Sequence, residues 1–236
     1  MSLMTLVRNA ISESHNEIEE TAFSVAMMDG SMGKEDYARG LSQLRQIHFS
    51  LECAIRDSTI ASPFFRGEMV RTATIDRDLH SLGLSRYSFT LLPQTTTIID
   101  QITRWGITEQ AALLGCLYVL EGSRMGSLVI AKPLAKTLGL AAGSVAGIEY
   151  HTEGGAQTPM RVRQLKEQLD QAQFDDATKD ALKNGAVVFM RLLNALYAVL
   201  PVGSTEKPAT AGKCPFSHGG SQAHNHLNNH SQLKSA

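Results

Sequence analysis

Hydrophobic residues recur at helical spacing along most of the first 200 residues, and polar or glycine-rich breaks separate the segments that carry this spacing. In 34–57, for example, Leu41, Leu44 and Leu51 fall on one face of a 3.6-residue repeat. The pattern predicts helices over 3–20, 34–57, 64–80, 95–105, 108–138, 159–172 and 175–200. Strand-like alternation is weak throughout, so we predict an all-α fold.

Single residues set several of the predicted boundaries. Thr108 is a good N-cap for the longest helix, and Pro133 should kink or break that helix. Residues 141–157 are rich in Gly and Ala and are predicted to form a loop. Residues 201–236 are too polar to bury much apolar area. We therefore expect one helical domain over 1–200 and a flexible tail over 201–236.

Composition and charge exclude several classes of function. The chain has 22 basic and 23 acidic residues, and this formal charge of −1 does not favour binding to nucleic acid or to an anionic membrane. The three cysteines show no CxxC spacing, which argues against a disulfide scaffold or a thiolate zinc cluster. No secretory signal and no clear membrane span are visible, so we expect a cytoplasmic protein.

The first candidate for chemistry is a histidine on the first predicted helix. Ile11, His15 and Ile18 follow a helical spacing, which places the imidazole on or beside an apolar face. Glu19 lies one turn further along, and Arg8 lies on the same face about 10 Å away. This arrangement suits a metal in a flat cofactor with carboxylates at its rim, but a partly exposed histidine beside an incidental acid is the commoner outcome.

The second candidate is a stripe of glycines on the longest helix. Gly115, Gly122 and Gly126 fall within a narrow angular range, and Ser123 and Ser127 lie beside them. Glycine within a helix costs about 1 kcal/mol relative to alanine, so three of them need an explanation. The stripe is compatible with backbone contact to a flat ligand and equally with close packing of another helix.

Together these segments resemble the heme oxygenase family in its bacterial, biliverdin-producing form. SESHNEIEE, which contains His15 and Glu19, is similar to the family's proximal helix, and LYVLEGSRMG at 117–126 is similar to its distal helix. A looser match at 154–165 places Arg163 on an arginine of the family pattern. The similarity extends over residues 3–200.

The chain departs from the family pattern at several positions. Ser123 stands where many members have aspartate, and Ser127 replaces a frequent glycine. Pro159 and Val162 replace a glycine and a tryptophan in the third motif. The resemblance therefore implies the role of Arg163 less strongly than that of His15.

The resemblance implies that heme b is both substrate and cofactor, and that His15 binds its iron. The implied catalytic residues are Gly122, Ser123 and Gly126, and the implied heme-binding residues are Arg8, His15, Glu19, Tyr118 and Arg163. Glu19 would orient the imidazole, and the two arginines would pair with the propionates.

The implied reaction is oxidative cleavage of heme to biliverdin, CO and ferrous iron with O2. Electrons would come from a separate reductase or ferredoxin, because the chain has no GxGxxG fingerprint. The alternative is a non-catalytic heme-binding, trafficking or sensing protein on the same scaffold, since Ser123 offers no carboxylate to order water.

The predicted tail carries a second possible site. Cys214 is followed by proline and then by His218, which resembles the Cys-Pro heme-regulatory motif of several heme-handling proteins. His224, His226 and His230 supply further imidazoles. A secondary heme site, a zinc, copper or nickel site and a plain polar tail all fit these residues.

Overall fold

The computed structural model describes residues 1–85 and 87–203, and no strand occurs among these residues. The α-helices are α1 (Leu3–Glu19), α2 (Ala22–Asp29), α3 (Lys34–Asp57), α4 (Thr72–Ser81), α5 (Pro93–Thr108), α6 (Ala112–Thr137), α7 (Glu149–Thr152), α8 (Thr158–Gln171) and α9 (Asp176–Tyr197). The all-α prediction is confirmed. Of the predicted tail, only residues 201–203 belong to the described part.

The long helix α6 lies at the centre and packs most extensively against α9. The two helices touch through glycines, since a Cβ on Gly115 would overlap backbone atoms of Leu182 and Ala186, and one on Gly185 would overlap Ala112. Within the described part of the chain, α6 is also the one helix with the length and apolar composition to cross a membrane. Most of that stretch is buried inside the domain, as is typical of a core helix.

Contacts near both of its ends hold α1 against the rest of the domain. The Ser2 side chain caps the helix by accepting a hydrogen bond from the Thr5 amide, and the Met4 amide donates to Asp170 of α8 at 2.8 Å. Near the other end, Asn194 of α9 donates to Glu17 at 2.7 Å. These contacts fix the stripe of α1 that continues from its buried residues to His15.

The structure differs from the sequence prediction at Thr108 and at Pro133, and each difference has a local cause. Thr108 is not an N-cap, because α5 continues through it and its hydroxyl donates to the Arg104 carbonyl. Pro133 does not break α6, which runs to Thr137. The carbonyl that loses its partner there belongs to exposed Val129, where water can replace the missing hydrogen bond.

The other differences concern short elements. α4 begins only at Thr72, because two 3-10 turns occupy Ser62–Phe64 and Gly67–Met69. The predicted loop over 141–157 contains α7, whose first amides donate to the carboxylate of Asp78 at 2.7 Å. This side chain from α4 supplies the cap that the local sequence lacks.

Candidate functional site

A cavity of about 480 Å³ opens between α1, α6 and α8, with Met190 of α9 in its lining. A cavity of this size falls within the range of about 300–1,000 Å³ typical of cofactor and substrate sites. Five of the candidate site residues implied by the sequence line it, namely Arg8, His15, Tyr118, Gly122 and Ser123. The fold therefore brings the first helix and the LYVLEGS segment to one cavity.

The α1 wall presents His15 with a carboxylate behind it. The side chain of His15 is about half exposed, and its Nδ1 lies 3.5 Å from Oε1 of Glu19. Glu19 itself does not line the cavity. A carboxylate beside Nδ1 favours the tautomer with the proton on that nitrogen, which leaves the Nε2 lone pair available for a metal.

The α6 wall presents bare backbone. A Cβ on Gly122 would have no neighbour within 4 Å, and the same holds for Gly126, which does not line the cavity. The hydroxyl of Ser123 donates to the Leu120 carbonyl at 2.8 Å. The predicted glycine stripe thus divides in two, because Gly115 packs against α9 whereas Gly122 faces open space.

Two cations flank Tyr118 at the cavity. Nζ of Lys166 lies 5.8 Å from the centroid of the Tyr118 ring. Burial raises the pKa of Tyr118, and the nearby charge of Arg8 partly opposes this shift. Arg163 does not line the cavity; its side chain is 72% exposed and lies 3.8 Å from Glu167.

Sequence reasoning missed Lys166, although a signal was present. Val162 also lines the cavity, and Lys166 is four residues further along α8. Residues at i and i+4 share a helix face, so Val162 and Lys166 point the same way and Arg163 points elsewhere.

A buried ion pair lies on the side of α6 that faces away from the cavity. Nη1 of Arg124 donates to Oε2 of Glu121 at 2.9 Å, and both side chains are less than 10% exposed. Nη2 of Arg124 donates to the Glu153 carbonyl at 2.8 Å. The carboxylate of Glu153 in turn accepts hydrogen bonds from Arg71 and Thr74, both at 2.6 Å. Sequence reasoning assigned no role to these residues.

A model of the heme oxygenase family matches residues 1–195 of the chain. The chain belongs to the heme oxygenase family. Membership of this family supports, at the family level, a heme-degrading oxidoreductase. The cavity between α1 and α6 is the candidate heme site of the chain.

Solved heme oxygenases share the fold of this family member. The heme oxygenase of Leptospira interrogans is 21% identical and has a TM-score of 0.73, over 84% of this chain and 99% of the other. Heme oxygenase-2 of Synechocystis sp. PCC 6803, in complex with heme and NO, is 22% identical with a TM-score of 0.75 over 84% of each chain. Heme oxygenase 2 of Chlamydomonas reinhardtii, without heme, is 18% identical with a TM-score of 0.75, over 89% of this chain and 100% of the other. No curated protein sequence matches this chain significantly.

Two further histidines of this heme oxygenase family member, His48 and His151, are buried in the interior. Burial lowers the pKa of His48 to about 3 and that of His151 to about 4, so both imidazoles are neutral near pH 7. Nε2 of His48 lies 3.1 Å from the Tyr150 hydroxyl. Neither histidine lines the cavity. Cys214 and His218 of the predicted tail lie outside the described residues.

Proposed function

We propose that this chain binds heme b in the cavity between α1 and α6 and cleaves it to biliverdin, CO and ferrous iron. O2 is the oxidant, a separate reductase or ferredoxin supplies the electrons, and the reaction takes place in the cytoplasm. One observation carries the proposal: His15 and Gly122, which are far apart in the sequence, line the same cavity. An imidazole on one wall and bare backbone on another fit a flat metal macrocycle.

His15 is the proposed iron ligand. Glu19 lies behind its Nδ1, so the proton is held on that nitrogen and Nε2 is left to bind the metal. A neutral imidazole is the usual heme ligand in proteins that handle O2. The half-exposed position of His15 leaves it accessible to a ligand that enters from solvent.

The α6 backbone at Gly122 and Ser123 is the proposed wall against the other face of the heme. Bound heme supplies the redox chemistry and the site of O2 binding. Because Gly122 has no side chain, the ring can approach the helix closely and leave little room for bulk water. Ser123 donates its proton to Leu120, so its oxygen is available to accept a hydrogen bond from water beside the ligand.

Arg8 and Lys166 are the proposed partners of the heme propionates. Both line the cavity near Tyr118, whose ring offers an apolar surface to the macrocycle. A guanidinium can bind a carboxylate through two parallel hydrogen bonds, and an ammonium acts as a point charge. We assign this role to Lys166 in place of Arg163, because Arg163 points away from the cavity.

A non-catalytic heme-binding or trafficking protein is the second candidate. The observation that favours it is the hydroxyl of Ser123, which already donates to the helix backbone. None of the described residues that line the cavity is an aspartate or glutamate that could order water in its place.

The two candidates differ in what happens to bound hemin under reducing conditions in air. We expect the full-length chain with hemin and ascorbate, or with a reductase, to lose its Soret band as a biliverdin band grows. A Soret band that persists without biliverdin would support the binding protein instead.

His15→Ala tests the assignment of the iron ligand. We expect the variant to lose the axial-imidazole signature, and His80→Ala, an exposed histidine on α4, serves as the matched control. An unchanged imidazole spectrum in His15→Ala would show that another residue binds the iron.

A further inference from the structure

A buried ion pair lies on the turn of α6 that contains Gly122 and Ser123, on the side away from the cavity. Glu121 and Arg124 flank these two residues, and their side chains meet at 2.9 Å. Their exposed fractions are 4% and 7%. Burial raises the pKa of Glu121, and Arg124 opposes this shift most strongly, which agrees with a carboxylate held by the guanidinium. The pair therefore bridges the cavity-lining segment without touching the cavity.

Arg124 also ties this turn to the segment that follows α7. Its Nη2 donates to the Glu153 carbonyl at 2.8 Å, and its Nη1 lies 3.5 Å from the Glu68 carbonyl. Gly154 has a φ of +93°, and a Cβ at this position would lie 2.7 Å from Nη2. The local backbone thus makes room for a planar guanidinium, whose several donors a lysine cannot reproduce.

The anchor continues beyond this segment to α4. The Glu153 carboxylate accepts hydrogen bonds from Arg71, which is 1% exposed, and from Thr74. A movement of the turn at 121–124 would therefore disturb buried polar contacts on α4 as well as on α6. Glu121, Arg124 and Arg71 are all buried, so leaving any of these three charges unpaired would be costly, which makes the arrangement stiff.

The cavity wall needs such an anchor because its own residues stabilise the helix poorly. Glycine is unfavourable inside helices, and Gly122 has no side chain to pack against a neighbour. A serine that donates to a carbonyl one turn earlier, as Ser123 does to Leu120, tends to bend a helix. Without the buried pair this turn would be a weak point of α6.

We propose that Arg124 is a positioning residue for the heme-facing wall. Through its pair with Glu121 it fixes the backbone of Gly122 and Ser123 relative to the ligand, and thereby determines which edge of the macrocycle the wall leaves open to reaction. The effect on which edge of the macrocycle reacts rests on the proposed function. The anchoring of the turn by Arg124 is a property of the hemin-free chain and does not depend on it.

The first test uses the full-length chain without hemin. We expect Arg124→Met to speed amide hydrogen exchange in residues 118–126 by about tenfold or more, because the turn loses its anchor. Arg124→Lys, which keeps the positive charge but loses the planar set of guanidinium donors, should give a smaller increase in the exchange rate. Arg45→Met is the matched control, since Arg45 is a buried arginine that pairs with Asp76 at 3.1 Å between α3 and α4.

The second test adds hemin and a reductant. We expect the unaltered chain and Arg45→Met to yield the same biliverdin isomer pattern, and Arg124→Met to yield a broader mixture. Arg124→Lys should lie between them and serves as the test variant if Arg124→Met does not fold.

The outcomes separate this inference from the proposed function. If exchange in 118–126 is no faster in either Arg124 variant than in Arg45→Met, the anchoring role is wrong. If exchange is faster but the isomer pattern is unchanged, Arg124 stabilises the helix without positioning the wall, which also overturns the inference. If the unaltered chain makes no biliverdin, the proposed function fails, and hemin affinity in place of isomer pattern then decides whether the anchored wall positions the ligand.

Discussion

Replacement of Gly122 by alanine should stabilise the hemin-free protein and weaken hemin binding, whereas Gly115→Ala should destabilise the protein and spare binding. Both glycines belong to the same predicted stripe on α6. A Cβ on Gly122 would meet nothing within 4 Å, but one on Gly115 would overlap the Leu182 carbonyl and the Ala186 amide nitrogen of α9. The two substitutions add the same methyl group, but at Gly122 it enters open space and at Gly115 it clashes with the backbone of α9.

The expected stabilities follow from these contacts. At Gly122 only helix propensity changes, which favours alanine by about 1 kcal/mol and corresponds to a rise in Tm of about 2–4 °C for a domain of this size. At Gly115 the same gain is opposed by overpacking, which typically costs about 1–3 kcal/mol and more when it exceeds what the core can absorb. Because the clash is with backbone that cannot rotate away, we expect a net loss of about 2 kcal/mol and a fall in Tm of about 4–8 °C.

The expected hemin affinities go the other way. The new methyl group of Gly122→Ala occupies space that we assign to the macrocycle, and a tenfold loss of affinity corresponds to about 1.4 kcal/mol. We expect at least this loss for Gly122→Ala and no change for the folded fraction of Gly115→Ala. Thermal unfolding followed by circular dichroism measures the first quantity, and a Soret titration with hemin measures the second.

Two results would refute this reasoning. If Gly122→Ala binds hemin as tightly as the unaltered chain, the bare backbone of α6 is not the surface that contacts the ligand. If Gly122→Ala lowers the Tm as Gly115→Ala does, the whole stripe serves helix packing, and the division seen in the structure has no functional meaning.

Three further predictions concern the cations, the carboxylate and the buried histidine. Lys166→Met should weaken hemin binding about tenfold in a Soret titration and Arg163→Met should leave it unchanged; equal losses would contradict the assignment of the propionates. Glu19→Gln should retain ligation by His15 but raise the reduction potential of the heme in spectroelectrochemistry, because a neutral partner makes the imidazole a weaker donor; an unchanged potential would mean that Glu19 does not act on His15. Burial lowers the pKa of His151 to about 4. Below pH 6.5 the unfolded chain therefore takes up a proton that the folded chain does not, and the free energy of unfolding decreases as the pH is lowered. At pH 5 this amounts to about 2 kcal/mol, so urea unfolding at pH 7 and pH 5 should show a smaller acid loss in His151→Phe, and an equal loss would exclude this source of acid sensitivity.

The elements that sequence reasoning placed well are long and strongly periodic. The helix predicted over 34–57 matches α3, and the one predicted over 3–20 ends one residue beyond α1. The missed helix α2 is short, and apolar residues run through most of it, so its periodicity is faint. α7 escaped prediction for another reason: its cap is Asp78, far away in the sequence.

The third motif shows why the sequence pointed to Arg163 as the cation on α8, whereas Lys166 is the one that lines the cavity. The similarity to the family is loosest there, and Pro159 and Val162 both depart from the pattern. A helix turns by about 100° per residue, so its face is set by which residues pack into the core. Leu165 and Leu169 are buried, and this packing turns Lys166 toward the cavity and Arg163 toward solvent.

The ion pair of α6 could not have been assigned from the sequence for a more general reason. An acid and a base three residues apart on a helix usually form an exposed pair that adds little stability. Only the packing of α7 against α6 and the contacts of Arg124 with the Glu68 and Glu153 carbonyls show that Glu121 and Arg124 are buried, where the loss of one partner is costly. The glycine face and the charged face of one turn thus have complementary roles: the first leaves room for a ligand and weakens the helix, and the second restores the rigidity that an open wall requires. It follows that stability and ligand geometry are coupled through Arg124 but separable at Gly122, where alanine should strengthen the helix while it obstructs the site.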